Sequence, residues 1–217
     1  MVKPSLIEIY DRLFAFFGPQ HWWPGETPFE IIVGAVLTQN TAWTNVEKAI
    51  ANLKDRGLLT FEAMVTLPHA TLADLIRPAG YFNVKASRLH NLLGMIQDRY
   101  AGDLDLFAQE ELAALRQNLL EVKGIGPETA DSILLYAAEK PTFVIDAYTH
   151  RLLSRHGLAA EEGADYHEMQ ELFMASLPNT PALFNEYHAL IVRTGKEFCK
   201  KTNPRCAECP LFETLNS

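Results

Sequence analysis

An aspartate following a glycine turn is the feature of this chain best suited to chemistry. Asp146 lies in Phe143-Val144-Ile145-Asp146-Ala147-Tyr148-Thr149-His150, downstream of Val122-Lys123-Gly124-Ile125-Gly126-Pro127-Glu128-Thr129-Ala130. The two glycines permit a tight turn with outward-facing backbone N–H groups, because Gly takes φ > 0 without a Cβ clash. Pro127 then starts a helix at a position where its missing N–H costs nothing. A turn that opens into a helix N-terminus offers a place for a phosphate. Leu119, Leu120 and Val122 before the turn, and Ile133, Leu134 and Leu135 after it, give each flank an apolar helical face. The pattern is a helix-hairpin-helix, which grips a nucleic-acid backbone without reading sequence. Its candidate phosphate contacts are Lys123, Gly124, Ile125 and Gly126. Taken alone, the glycine turn is better explained by the packing of two helices, and Asp146 by a helix N-cap.

Three further groups carry chemical potential. Cys199, Cys206 and Cys209 form a Cys-x6-Cys-x2-Cys pattern. Clustered cysteines in such a chain read as metal ligands or free thiols before disulfides. Arg193, Lys196, Lys200, Lys201 and Arg205 surround them against Glu197, which predicts a DNA-facing surface at Lys200, Lys201 and Arg205; a helix C-terminus matched to its dipole is the plainer alternative. The three tryptophans, Trp22, Trp23 and Trp43, flank Gln39 in sequence. Packing alone is a common role for Trp.

Helices must position these residues, since apolar residues recur at helical spacing almost throughout. Leu6, Ile9, Tyr10, Leu13, Phe14 and Phe17 stripe a first helix, closed by Gly18. Val46, Ile50 and Leu53 stripe another before Gly57. Leu89, Leu92, Ile96 and Tyr100 mark a third before Gly102, and Leu112, Leu115, Leu119 and Leu120 lead into the hairpin. Leu172, Phe173 and Leu177 precede a Pro-rich break, and Phe184, Tyr187, Leu190 and Ile191 carry the last long helix. No strand ladder or repeat interrupts them, so the expected fold class is all-α. Gln39 falls on a turn after an apolar helix, with Asn40 or Thr41 as the expected N-cap of the next one.

The 217 residues allow one or two domains. A hydrophobic content of 48% and a charged content of 21% are ordinary for a globular protein. No signal-peptide pattern and no membrane-length apolar run is present, so a cytoplasmic, nucleoid-associated protein of a bacterial-type cell is expected. The net charge of −8 speaks against nucleic acid only if taken globally. Glu161, Glu162, Asp165, Glu168 and Glu171 gather the acid in one stretch, while the basic residues cluster elsewhere.

The hairpin and Asp146 together resemble the helix-hairpin-helix, Gly-Pro-Asp superfamily of DNA glycosylases, the endonuclease III-like proteins. Pro28–Val33 through Leu37-Thr38-Gln39-Asn40-Thr41 is similar to the family's early core helix and glutamine loop. Arg77–Ala86 is similar to its G-x-x-x-x-K-A passage, and Thr194-Gly195-Lys196-Glu197-Phe198-Cys199 to the start of its iron–sulfur loop. The resemblance implies two helical lobes with a DNA-binding cleft between them: 26–133 as one, and 1–25 with 134–217, including the cysteine loop, as the other. It implies a monomer acting on damaged double-stranded DNA, with Asp146 catalytic, Gln39 as the wedge that fills the gap left by an extruded base, and a monovalent cation at the hairpin. The family's cluster loop continues to a fourth cysteine that would fall at Leu215. A [4Fe–4S] cluster normally takes four thiolates, so Cys199, Cys206 and Cys209 could hold an incomplete cluster, accept another fourth ligand, or be a relic.

Bifunctional members carry a lysine where this chain has Glu128. A carboxylate cannot form the Schiff base required for strand cleavage, so the expected enzyme is a monofunctional glycosylase of base excision repair. Glu128 is also explained as a first-turn acid facing the helix dipole. A base pocket of Trp22, Trp23, Trp43, Gln39 and Glu128 would suit a positively charged alkylated purine through cation–π stacking, and the motifs are most similar to the 3-methyladenine DNA glycosylase branch. The alternatives are a glycosylase for oxidised or deaminated bases, and a DNA-binding helix-hairpin-helix module without activity.

Overall fold

The computed structural model describes residues 4–23 and 25–215, with side chains up to residue 213. In chain order the α-helices are α1 Leu6–Phe17, α2 Pro28–Leu37, α3 Trp43–Lys54, α4 Phe61–Val65, α5 His69–Leu75, α6 Phe82–Tyr100, α7 Leu104–Gln109, α8 Leu112–Glu121, α9 Pro127–Ser132, α10 Ala147–Arg155, α11 Tyr166–Ser176 and α12 Pro181–Glu197. No strand occurs among the described residues, so the fold is all-α. No helix among them is long and apolar enough to cross a membrane.

Local chemistry sets most boundaries. Ser5 and Glu8 form a reciprocal capping box at the start of α1, and Gly18 closes it at φ 69°. Thr27, Thr60, Asp103, Asp165 and Thr180 each accept a backbone N–H at the start of a helix, satisfying donors the helix itself cannot. The turn before α3 departs from expectation. Neither Asn40 nor Thr41 caps it; Ala42 occupies the cap position without a side-chain bond, and Asn40 sits at φ 53°. Asn tolerates that left-handed conformation better than most residues, so Asn40 makes the turn instead of the cap.

The chain divides into two compact units, Trp23–Lys140 and Met1–Trp22 with Pro141–Ser217. In the first, α2 is apolar on nearly every side: Phe29, Ile32, Val33, Val36 and Leu37 are buried and join Leu53, Leu89, Leu92, Leu119, Ile125 and Ile133 in one core. A helix hydrophobic all round is a central one. Residues 134–140, expected with the other lobe, pack in this unit. The reason is a π turn, Ile133–Ala137, that extends α9 with all five side chains buried. In the second unit the Phe143 and Phe173 rings stack at 3.7 Å, and the buried Tyr187 hydroxyl donates to Leu6 O at 2.7 Å, tying α12 to α1.

Candidate active site

The hairpin joins α8 to α9. Gly124 adopts φ 99°, a conformation that strains any residue with a Cβ. Gly126 instead sits at φ −100°, ψ 178° as the N-cap of α9, an ordinary extended conformation, so only the first glycine is demanded by the backbone. The Ile125 side chain is buried in the core, and its N–H donates to Val122 O at 3.0 Å. This corrects its expected role as a phosphate contact: it anchors the turn from inside. The Lys123 side chain is exposed, and its carbonyl accepts from Asn91 Nδ2 at 3.0 Å.

The glycines give a contrasting prediction. A Cβ on Gly124 would lie 2.5 Å from Arg88 Cγ, whereas one on Gly126 would meet no protein atom within 4 Å. Gly124→Ala is expected to destabilise by more than about 1 kcal/mol, lowering Tm by a few degrees. Gly126→Ala should cost about 1 kcal/mol or less as a cap change, yet weaken DNA binding by obstructing the close approach of a phosphate. Thermal melts beside DNA titrations check both; equal loss of stability in the two variants would contradict the assignment.

Gln39 is bound directly to this hairpin. Its Nε2 donates to Thr129 Oγ1 at 2.8 Å and to Gly124 O at 3.1 Å, and its Oε1 accepts from Arg88. The backbone leading to it is fixed by the buried Lys85, whose Nζ donates to Leu37 O and Ala79 O, both at 2.8 Å. Burial, reinforced by the nearby Arg88 charge, brings the Lys85 ammonium down to about 8.

Two of the three tryptophans meet. Trp23 packs edge-on against Trp43 with centroids 5.2 Å apart, and tilts against Tyr136 at 5.0 Å. Trp43 Nε1 donates to Glu47 Oε1 at 2.9 Å. Trp22 is placed differently, under the Lys196 ammonium at 5.6 Å. Tyr136 carries no helical-spacing signal, because it sits in the π turn, where that spacing slips. Glu128 is exposed in the first turn of α9.

Asp146 is the N-cap of α10: its Oδ1 accepts the Thr149 N–H at 2.7 Å. Its Oδ2 faces His188 Nε2 of α12 at 3.6 Å, with both side chains largely buried. Gly195 lets α10 lie close to α12, since a Cβ there would overlap the Tyr148 ring. Burial pushes the Asp146 carboxyl up; the adjacent His188, with the hydrogen bond from Thr149, outweighs it and holds the group below its usual value. A cap and a charged carboxylate are therefore one residue with two jobs. His188 carried no sequence signal, because only the α10–α12 packing brings it to Asp146.

Cys199, Cys206 and Cys209 line one small cavity with Leu152, Arg155, His156 and Leu211. Burial, joined by the other two cysteines, raises the Cys209 thiol despite a backbone bond at Leu211. Arg155 donates to Cys199 Sγ at 3.2 Å and Lys200 O at 2.9 Å, and Arg151 to Cys199 O at 2.6 Å. Among the described residues, no three His, Cys, Asp or Glu groups gather closely enough to hold a metal ion. The Leu215 side chain lies outside the described residues. With three cysteines in the sequence, the loop is one thiolate short of an ordinary [4Fe–4S] site, and it is already tied by two arginines. Of the expected phosphate contacts, Lys200 and Lys201 are exposed. Arg205 is exposed as well, pairs with Glu208 and lies over the Phe198 ring.

The model of HhH-GPD superfamily base excision DNA repair proteins matches residues 33–179, spanning the glutamine loop, the hairpin and Asp146. The chain belongs to this superfamily. A Methanocaldococcus jannaschii protein, provisionally named a DNA repair glycosylase, is 45% identical over 209 residues, covering 96% of this chain and 94% of that one. The H. pylori 3-methyladenine DNA glycosylase bound to 1,N6-ethenoadenine is 32% identical with a TM-score of 0.80, covering 89% of this chain and 98% of that one. Endonuclease III trapped covalently on DNA shares the fold, with a TM-score of 0.82 at 23% identity over 97% of this chain and 95% of that one. As an HhH-GPD protein the chain is a DNA glycosylase of base excision repair.

Proposed function

We propose that this glycosylase hydrolyses the N-glycosidic bond of alkylated purines in double-stranded DNA and leaves an abasic site. The observation that carries the substrate class is the Trp23–Trp43–Tyr136 cluster. Electron-rich rings attract a cationic base by about 0.5–2 kcal/mol, and a neutral base gains less. The name of the H. pylori neighbour supports the same class.

A base within a duplex must be extruded before it can be attacked, and Gln39, held at the hairpin, is suited to fill the gap. As the C1′–N bond breaks, its electron pair passes to the base, which leaves neutral when the alkylated purine began as a cation. Positive charge grows on the sugar, and the ionised Asp146 stabilises it. Water then bonds to C1′ and releases its proton. An alkylated purine is already a good leaving group, so the reaction does not demand a strong acid on the base.

The test is to incubate the protein with methylated DNA and identify the released bases by chromatography. Release of 3-methyladenine is expected, and Trp23→Ala and Trp43→Ala should each lower it by roughly 2- to 30-fold, the loss of one cation–π contact. Binding to undamaged duplex should change less. Release of oxidised or deaminated bases with no methylated purine would overturn the substrate class.

A further inference from the structure

Arg88 of α6 sits between the wedge and the hairpin. Its guanidinium donates to Gln39 Oε1, while its aliphatic stem lies over Gly124, close enough that a Cβ there would collide with it. Gln39 Nε2 is held by Gly124 O and Thr129 Oγ1. The amide is therefore fixed at both ends, oxygen toward Arg88 and nitrogen toward the hairpin. Lys85, one turn earlier on α6, fixes the backbone that leads to it. No ion pair with a carboxylate engages Arg88 among the described residues, so its strongest directional partner is the Gln39 carbonyl.

We propose that Arg88 is the positioning residue for the wedge, orienting the Gln39 amide so that it enters the base stack without first searching its rotamers. This rests on the reading of Gln39 as the wedge. A long amide side chain left to itself loses rotamer entropy on insertion; one already ordered against the hairpin has met much of that cost. Arg suits the task because its planar fork fixes direction, which a Lys ammonium does not.

The experiment compares Arg88→Met, Arg88→Lys and Gln39→Ala on two readouts. The first is the fluorescence of 2-aminopurine placed beside a stable abasic analogue in a duplex, which reports wedge insertion without any excision. The second is single-turnover release of 3-methyladenine from duplex and from single-stranded DNA. Arg88→Met should lose most of the fluorescence change and slow duplex excision about tenfold, with single-strand excision altered less than about twofold, since no gap needs filling there. Arg88→Lys should share the defect although it keeps the charge. Combined with Gln39→Ala, Arg88→Met should add nothing further, the signature of two residues acting as one. Full rescue by Arg88→Lys, additive losses, or equal losses on single and double strands would each overturn the proposal. Normal insertion by Gln39→Ala would remove the wedge reading itself, whereas a defective Gln39→Ala beside a normal Arg88→Met removes only the role of Arg88.

Discussion

Asp146→Asn is expected to slow base excision by about 10²–10³-fold, the scale on which preorganised electrostatic groups contribute, while DNA binding stays near the parent value and Tm falls only by what the lost charge opposite His188 contributed. The variant isolates charge from structure. The Asn Oδ1 can still accept the Thr149 N–H that Asp146 accepts at 2.7 Å, and Asn is as good an N-cap as Asp. What disappears is the negative charge opposite His188. Single-turnover kinetics against a binding titration check this, and turnover near that of the parent would remove Asp146 from the chemistry. The pH dependence has a definite sign. A carboxyl held below its usual value contributes stability that is fully present above about pH 3.9, the unfolded value, and that is lost as pH falls through the lowered folded value. Asp146 should therefore remain ionised, and competent, across the neutral range.

The second large expectation is an absence of strand cleavage. Borohydride should trap no covalent protein–DNA adduct, and nicks should appear only after alkali opens the abasic site. A Schiff base requires an amine at C1′, and Glu128 in the first turn of α9 supplies a carboxylate. Denaturing gels with and without borohydride read the result directly. An efficiently trapped adduct would show that another amine performs the attack and that the enzyme is bifunctional.

The legible and illegible parts of this protein divide along physical lines. Helix stops were readable because they are local: Gly18, at positive φ, closes α1 within one turn of chain, whereas the start of α3 was not, since Ala42 and neither Asn40 nor Thr41 caps it. The hairpin was readable for the same reason, as was Asp146 at the start of α10. The roles inside the hairpin were less so. Sequence treated Gly124 and Gly126 alike, but only Gly124 occupies the left-handed region. The burial of the Ile125 side chain and the bond of its N–H to Val122 O are not visible in the glycine pattern.

By itself, the sequence determined an all-α chain with a glycine turn, an aspartate cap and a three-cysteine loop, since each depends on neighbours a few residues apart. Only the tertiary structure decided which side chains act together. His188 reaches Asp146 because α10 packs on α12 at Gly195. Arg88 reaches Gln39 because α6 crosses the hairpin beside the glutamine turn, and Tyr136 joins the tryptophans through a π turn that shifts the helical register. These contacts join residues far apart in the chain, so no periodicity encodes them: they exist only once the helices have buried their apolar faces against one another.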